Sequence, residues 1–247
     1  MTLLRLDRLN KSFGSLTVTE DLSLVIAAGE RHVIIGPNGA GKTSLINQIS
    51  GQLQPSSGRI LLQDRDITGA SPDRISRMGV ARTFQRNNLF QNLSVIENIR
   101  LALLVRRGNP LDFFTPVDRD QALAERAAAL TTQVHLGGDG TRLARHLSYG
   151  EQRQLEIAVA LAGEPELLLL DEPTSGMSPS ETARIIELIA ALPRTLSIVM
   201  IEHDMKVVFS VADRITVLYY GKVLATGTPA EIQTNARVRE VYLGMAH

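Results

Sequence analysis

Cysteine is absent from the 247 residues. A disulfide framework and a cysteine-ligated metal site are thereby excluded, and a reducing cytoplasmic address fits. Tryptophan is also absent and aromatics make up only 4% of the chain, so a base-stacking surface is not expected. Neither sign of charge prevails: 26 Lys+Arg offset 26 Asp+Glu. That excludes attachment to nucleic acid by bulk positive charge. No uninterrupted apolar run reaches the ~18 residues a membrane-spanning helix needs. The start, Met1-Thr2-Leu3-Leu4-Arg5, lacks the apolar core and cleavage site of a signal peptide. Work at a membrane would therefore require a partner. His32, His135, His146, His203 and His247 are scattered, with no zinc-type spacing.

What is present is an alternation of short apolar runs with amphipathic stretches, which predicts an α/β fold. Residues 21–28, 32–35, 58–63, 167–170 and 196–201 are predicted strands. The run 167–170, four leucines between charged residues, suits a central parallel strand. Residues 214–219 and 222–226 form a hairpin pattern turned at Tyr220-Gly221, followed by a short helix. From about Ser94 to Ala162 the chain is rich in Ala, Leu and Arg at helical spacing, broken at Gly108-Asn109-Pro110 and at 137–140. This predicts a helical subdomain (90–162) inserted between two parts of a core (1–89 and 163–247). Four segments carry the capping-box pattern: Ser94–Glu97, Ser148–Glu151, Ser178–Glu181 and Thr228–Glu231. The last two add proline at the first helical position, Pro179 and Pro229.

Gly36-Pro37-Asn38-Gly39-Ala40-Gly41-Lys42-Thr43, followed by Ser44, matches G-x-x-x-x-G-K-[ST]. Glycines let successive N–H groups turn toward phosphate oxygens, and the helix that follows adds its positive end. Lys42 would reach the β- and γ-phosphates and Thr43 would ligate Mg²⁺. Ordinary composition produces such a match by chance in roughly one chain in a hundred. The match also lies where its chemistry needs it, after an apolar strand and before a helix. Asp171 and Glu172 directly follow the 167–170 strand. Ligands gather beyond the carboxyl ends of parallel strands, so Asp171 can hold Mg²⁺ and Glu172 can take a proton from an attacking water.

With these motifs, Leu147-Ser148-Tyr149-Gly150-Glu151-Gln152 resembles the signature motif of the ATP-binding cassette (ABC) ATPases, with Ser148 lying 23 residues before Asp171. The resemblance runs through essentially the whole chain in the family's motif order. It implies a mixed-sheet P-loop core with the inserted helical subdomain. It also implies roles. Phe13 stacks on adenine. Gln85, in Arg82-Thr83-Phe84-Gln85, senses Mg²⁺ and the attacking water. Asp171 holds magnesium, Glu172 is the general base, and His203 contacts the γ-phosphate. Ser148 and Gly150 complete the ATP site of a second, head-to-tail cassette, so the working form is a dimer of the same or homologous chains. Two departures stand out. Tyr149 and Glu151 replace the Gly and Gln of many members, and the segment after Glu172 ends at Ser178 where many have Asp.

Four features resemble the ATPase subunits of bacterial importers of branched-chain and hydrophobic amino acids. They are Glu202–Lys206, Thr174–Pro179, the linker between Gln85 and Ser148, and Val241-Tyr242-Leu243-Gly244. This resemblance implies two transmembrane permease subunits, an extracytoplasmic binding protein, and a peripheral place on the cytoplasmic face of the inner membrane. Leu89, Phe90 and Leu93 are then candidates for the groove that receives the permease. Three alternatives stay open: a urea or amide importer, a lipopolysaccharide exporter, and a soluble ABC ATPase outside transport. Nucleic acid is not an expected partner.

Overall fold

The computed structural model describes residues 1–83, 89–107, 120–138 and 140–243. Gln85, the break at 108–110 and Gly244 lie outside the described residues. The chain forms two compact units: Met1–Val80, Glu166–Pro173 and Pro193–His247 in one, Ala81–Pro165 and Thr174–Leu192 in the other.

The first unit holds two sheets. Strands β1 (Thr2–Phe13), β2 (Leu16–Ala27), β4 (Ser57–Leu62) and β5 (Arg65–Asp66) form one, in the order β2-β1-β4-β5. Its β1–β2, β1–β4 and β4–β5 pairs are antiparallel. The other contains β3 (Arg31–Ile35), β7 (Leu167–Asp171), β8 (Ser197–Ile201), β9 (Arg214–Tyr219) and β10 (Lys222–Gly227), and at its edge β6 (Val80–Arg82), of which Val80 alone belongs to this unit. Its order is β10-β9-β3-β8-β7-β6. β7, β8, β3 and β9 run parallel, and β10 returns antiparallel. The sheet is therefore mixed, as the family resemblance implies. β3, β7 and β8 are buried at every position, the mark of strands covered on both faces. Their residues join Leu4, Leu6 and Ile26 of the antiparallel sheet and Leu45, Ile46 and Ile49 of helix α1 (Lys42–Ile49) in one apolar cluster.

The N-terminal strand is absent from the sequence-based assignments, and β2 begins earlier than predicted. Both differences have one cause. The β1–β2 ladder is irregular, with register shifts between Leu6 and Leu9 and beyond. Arg8 and Asp21 sit at φ 47° and 46°, and such bulges destroy the period-2 pattern by which a strand is recognised. Side chains repair the ladder. The Arg8 N–H donates to Ser23 Oγ at 3.0 Å, and the Asp21 N–H to Asn10 Oδ1 at 2.9 Å.

Short helices α2 (Pro72–Arg77), α7 (Met205–Val211), α8 (Pro229–Thr234) and α9 (Ala236–Val238) complete the first unit. The second unit is helical. α3 (Val95–Arg107), α4 (Gln121–Gln133) and α5 (Tyr149–Ala162) pack together, joined by α6 (Pro179–Ala191) against α5. Ile99, Ala127, Leu130, Leu155 and Ala158 are fully buried there. All four predicted capping boxes form, at α3, α5, α6 and α8. The segment Thr174–Leu192, placed in the core by its position in sequence, belongs to this second unit. The contacts of Glu181 with Ser148 and Gly150 tie it there.

Candidate nucleotide site

β3 ends at Ile35 and the phosphate loop begins at Gly36. Here the backbone takes φ 156° at Gly36, 79° at Gly39 and 96° at Gly41. Gly41 is required by space as well as by angle. A Cβ there would stand 2.3 Å from the Val18 carbonyl oxygen. Gly36 is equally confined, with the Leu218 carbonyl oxygen 2.3 Å from where its Cβ would be. The loop is braced from outside by the β9–β10 turn, where the Gly221 N–H donates to the Ala40 carbonyl at 3.1 Å.

α1 begins at Lys42 with Gly41 as its N-cap and no side chain bonded to its first amides. Among the described residues every other α-helix has a side-chain cap. The leading N–H groups of α1 and its positive dipole end are thus left for an anion. Lys42 is 8% exposed. Its Nζ donates to the carbonyls of Gly36 at 2.7 Å and Pro37 at 3.1 Å. Burial lowers its pKa, while the carboxylates of Glu172 and Asp171 act in the opposite direction. Thr43 is exposed on the first turn, Ser44 is half-buried beside it, and Pro37, Asn38 and Gly39 form the open face of the loop.

Strand register brings the remaining groups to this edge. Ile34 of β3 pairs with Ile201 of β8, and Ile201 pairs with Asp171 of β7. Three parallel strands therefore end together, at the phosphate loop, at Glu202-His203 and at Asp171-Glu172. Asp171 is 1% exposed. Glu172 has φ 47°, and its N–H donates to the Ile201 carbonyl at 3.0 Å. A left-handed glutamate costs about 1–3 kcal/mol and persists only where its surroundings impose it. That bend turns the chain sharply at the strand end. His203 is exposed. It follows Glu202, a fully buried carboxylate whose Oε2 accepts the His203 N–H at 2.9 Å and the Asp204 N–H at 3.4 Å. Glu202 fixes the turn that carries His203. Sequence reasoning missed it because an acidic residue before a histidine gives no sign of being buried.

Phe13 stands at the end of β1, 53% exposed, with Lys11 Nζ 4.9 Å from the ring centroid. One face of the ring carries a cation and the side chain is open to a planar ligand. Ser148 and Gly150 lie in the other compact unit. Ser148 is the N-cap of α5, with the capping box to Glu151 complete. The departing residue Glu151 serves that cap and pairs with Arg142 at 2.6 Å. Ser178 caps α6, as its sequence context predicts. Leu89 is buried and Phe90 is exposed. The Asn98 amide grips the intervening chain through the Phe90 and Leu93 carbonyls.

The first unit thus has the build of a phosphate-loop ATPase, with nucleotide taken up beyond the carboxyl ends of parallel strands. Residues 19–175 match the ABC transporter family, and residues 222–245 match the branched-chain amino acid ATP-binding cassette transporters. The chain belongs to the ABC transporter family as one of its ATP-binding, ATP-hydrolysing subunits. It is 42% identical to the high-affinity branched-chain amino acid transport ATP-binding protein LivG of Salmonella typhimurium, over 99% of this chain and 98% of that one. It is 37% identical to the lipopolysaccharide export system ATP-binding protein LptB of Acidithiobacillus ferridurans, over 98% and 97% of the two chains. A crystal structure of the ADP conformation of an ABC transporter cassette superposes with TM-score 0.87 at 28% identity, covering 99% of each chain. No described helix is long and apolar enough to cross a membrane.

Proposed function

We propose that this chain is the ATPase subunit of an importer of branched-chain or other hydrophobic amino acids. It would lie on the cytoplasmic face of the inner membrane beneath two permease subunits, fed by an extracytoplasmic binding protein. The observation that carries the activity is the common strand-end edge that gathers Lys42, Asp171, Glu172 and His203. The C-terminal match over 222–245 and the likeness to LivG support the cargo class.

In this reading the uncapped start of α1, the loop amides from Gly36 to Gly41, and Lys42 hold the triphosphate of ATP. Asp171, Thr43 and Gln85 would hold Mg²⁺, and the donors suit it: hard oxygens, few of them from protein, with phosphate supplying the rest. No described cluster of three or more acidic, His or Cys side chains forms a separate metal cage. Bound Mg²⁺ would offset charge on the phosphates. Glu172 orients a water and accepts its proton. His203 donates toward the γ-phosphate from a turn held by Glu202. Phe13 stacks on adenine. Ser148 and Gly150 act in trans, closing the γ-phosphate of a second copy with the head of α5.

A tagged pull-down from detergent-solubilised source membranes, read by mass spectrometry, tests the assignment. Two polytopic subunits accompanied by an amino-acid binding protein support it. Lipopolysaccharide-export components would move the chain to the exporter branch, which the likeness to LptB favours as the second reading. Recovery with ribosomes or DNA-processing proteins would overturn transport.

A further inference from the structure

Two hydrogen bonds leave the head of α5 for a carboxylate on α6. Ser148 Oγ donates to Glu181 Oε1 at 3.1 Å, and the Gly150 N–H donates to the same oxygen at 3.1 Å. The other oxygen, Oε2, accepts from the Ser178 N–H at 3.1 Å and from Ser178 Oγ at 2.8 Å. Ser148 Oγ meanwhile accepts the Glu151 N–H at 3.3 Å. The single hydroxyl proton of Ser148 and the single amide proton of Gly150 are thus both committed to one carboxylate oxygen. The fit is close. A Cβ on Gly150 would stand 2.8 Å from Glu181 Cγ and 2.9 Å from its Oε1.

These are the two donors assigned above to the γ-phosphate of a second copy. Neither can serve two anions at full strength. We propose that Glu181 is an internal surrogate for the γ-phosphate on the signature motif, and that closure of the ATP-bound dimer displaces its Oε1 from Ser148 and Gly150. Glu181 thereby sets the ATP concentration at which the dimer closes. This inference rests on the trans-site reading of the signature.

Two features make the exchange workable. Glu181 is an anion at neutral pH, since its bonds to Ser178, Gly150 and Ser148 lower its pKa to about 2. An arriving phosphate therefore meets like charge as well as occupied donors. Displacement also leaves α6 intact, because Oε2 holds the Ser178 cap independently of Oε1.

The test uses the full chain in a Glu172→Gln background, chosen to retain bound ATP, with dimerisation followed by light scattering as Mg-ATP is titrated. Glu181→Gln keeps an oxygen for the α6 cap and removes the charge, so it should lower the ATP midpoint about tenfold. Glu181→Asp keeps the charge but withdraws the oxygen by one methylene, and should shift the midpoint the same way. Binding of a fluorescent ATP analogue to the monomer should not change. A midpoint unmoved or raised in both variants overturns the proposal. So does an equal change in monomer binding, which would assign the effect to the phosphate loop. Failure of Glu172→Gln to dimerise at any ATP concentration would remove the trans-site reading, and the proposal with it. A normal ATP-dependent dimer indifferent to Glu181 removes the proposal alone.

Discussion

The amide of Gly221 donates to the carbonyl of Ala40 at 3.1 Å, tying the tip of the last hairpin to the phosphate loop. Gly221 has φ 76°, and a Cβ there would stand 2.9 Å from the Val18 oxygen. Gly221→Ala should therefore destabilise the fold by about 1–3 kcal/mol. It should also weaken ATP binding, because Ala40 loses its brace. Thermal melts and nucleotide titration read the two effects, and an unchanged affinity would show that the loop holds its shape alone.

Lys42→Ala removes the buried ammonium that bridges the loop carbonyls and lies in the field of Glu172 and Asp171. ATP binding should fall at least about a hundredfold, the loss expected for a charge-assisted phosphate contact. Retained affinity in a fluorescent-nucleotide titration would sink the phosphate-loop assignment.

Glu172→Gln should bind ATP and lose turnover by about 10²–10⁴-fold, the usual contribution of a positioned base. Phosphate release measured at steady state decides this. An unchanged rate would remove Glu172 as the base.

Glu202→Ala should separate binding from chemistry. It frees the His203 and Asp204 amides from their acceptor and loosens the turn bearing His203. The expected result is a lower kcat with ATP affinity preserved, checked by comparing turnover with equilibrium nucleotide binding.

Glu181 should titrate near 2, against an ordinary value of 4.5. Its folded pKa is lowered, so its contribution to stability is full above about 4.5 and is lost as pH falls toward about 2. Carboxyl carbon shifts of labelled protein followed from pH 6 downward would show the low midpoint. A titration near 4.5 would mean that the four bonds are not held in solution.

Much of the framework around this candidate site was legible because its determinants are local. A phosphate loop is a run of eight residues whose glycines and lysine act together, and capping boxes close over three residues. The leucines of β7 announce a doubly buried strand before any neighbour is known. Gln85 was named from the motif order alone and lies outside the described residues. The long bulged β1 escaped notice because Asp7, Arg8, Asn10 and Lys11 interrupt its alternation. Glu181 was legible as a cap and no more, since nothing in its neighbours tells which amides its second oxygen meets.

The sequence by itself determined which residues carry charge, which turns admit left-handed glycines and where helices start, because these depend on neighbours within a few residues. Tertiary structure alone decided that Ile34, Ile201 and Asp171 stand in line, that Gly221 braces Ala40, and that Glu181 takes the donors of Ser148 and Gly150. Those relationships depend on strand register and helix packing, which the whole set of buried contacts settles together.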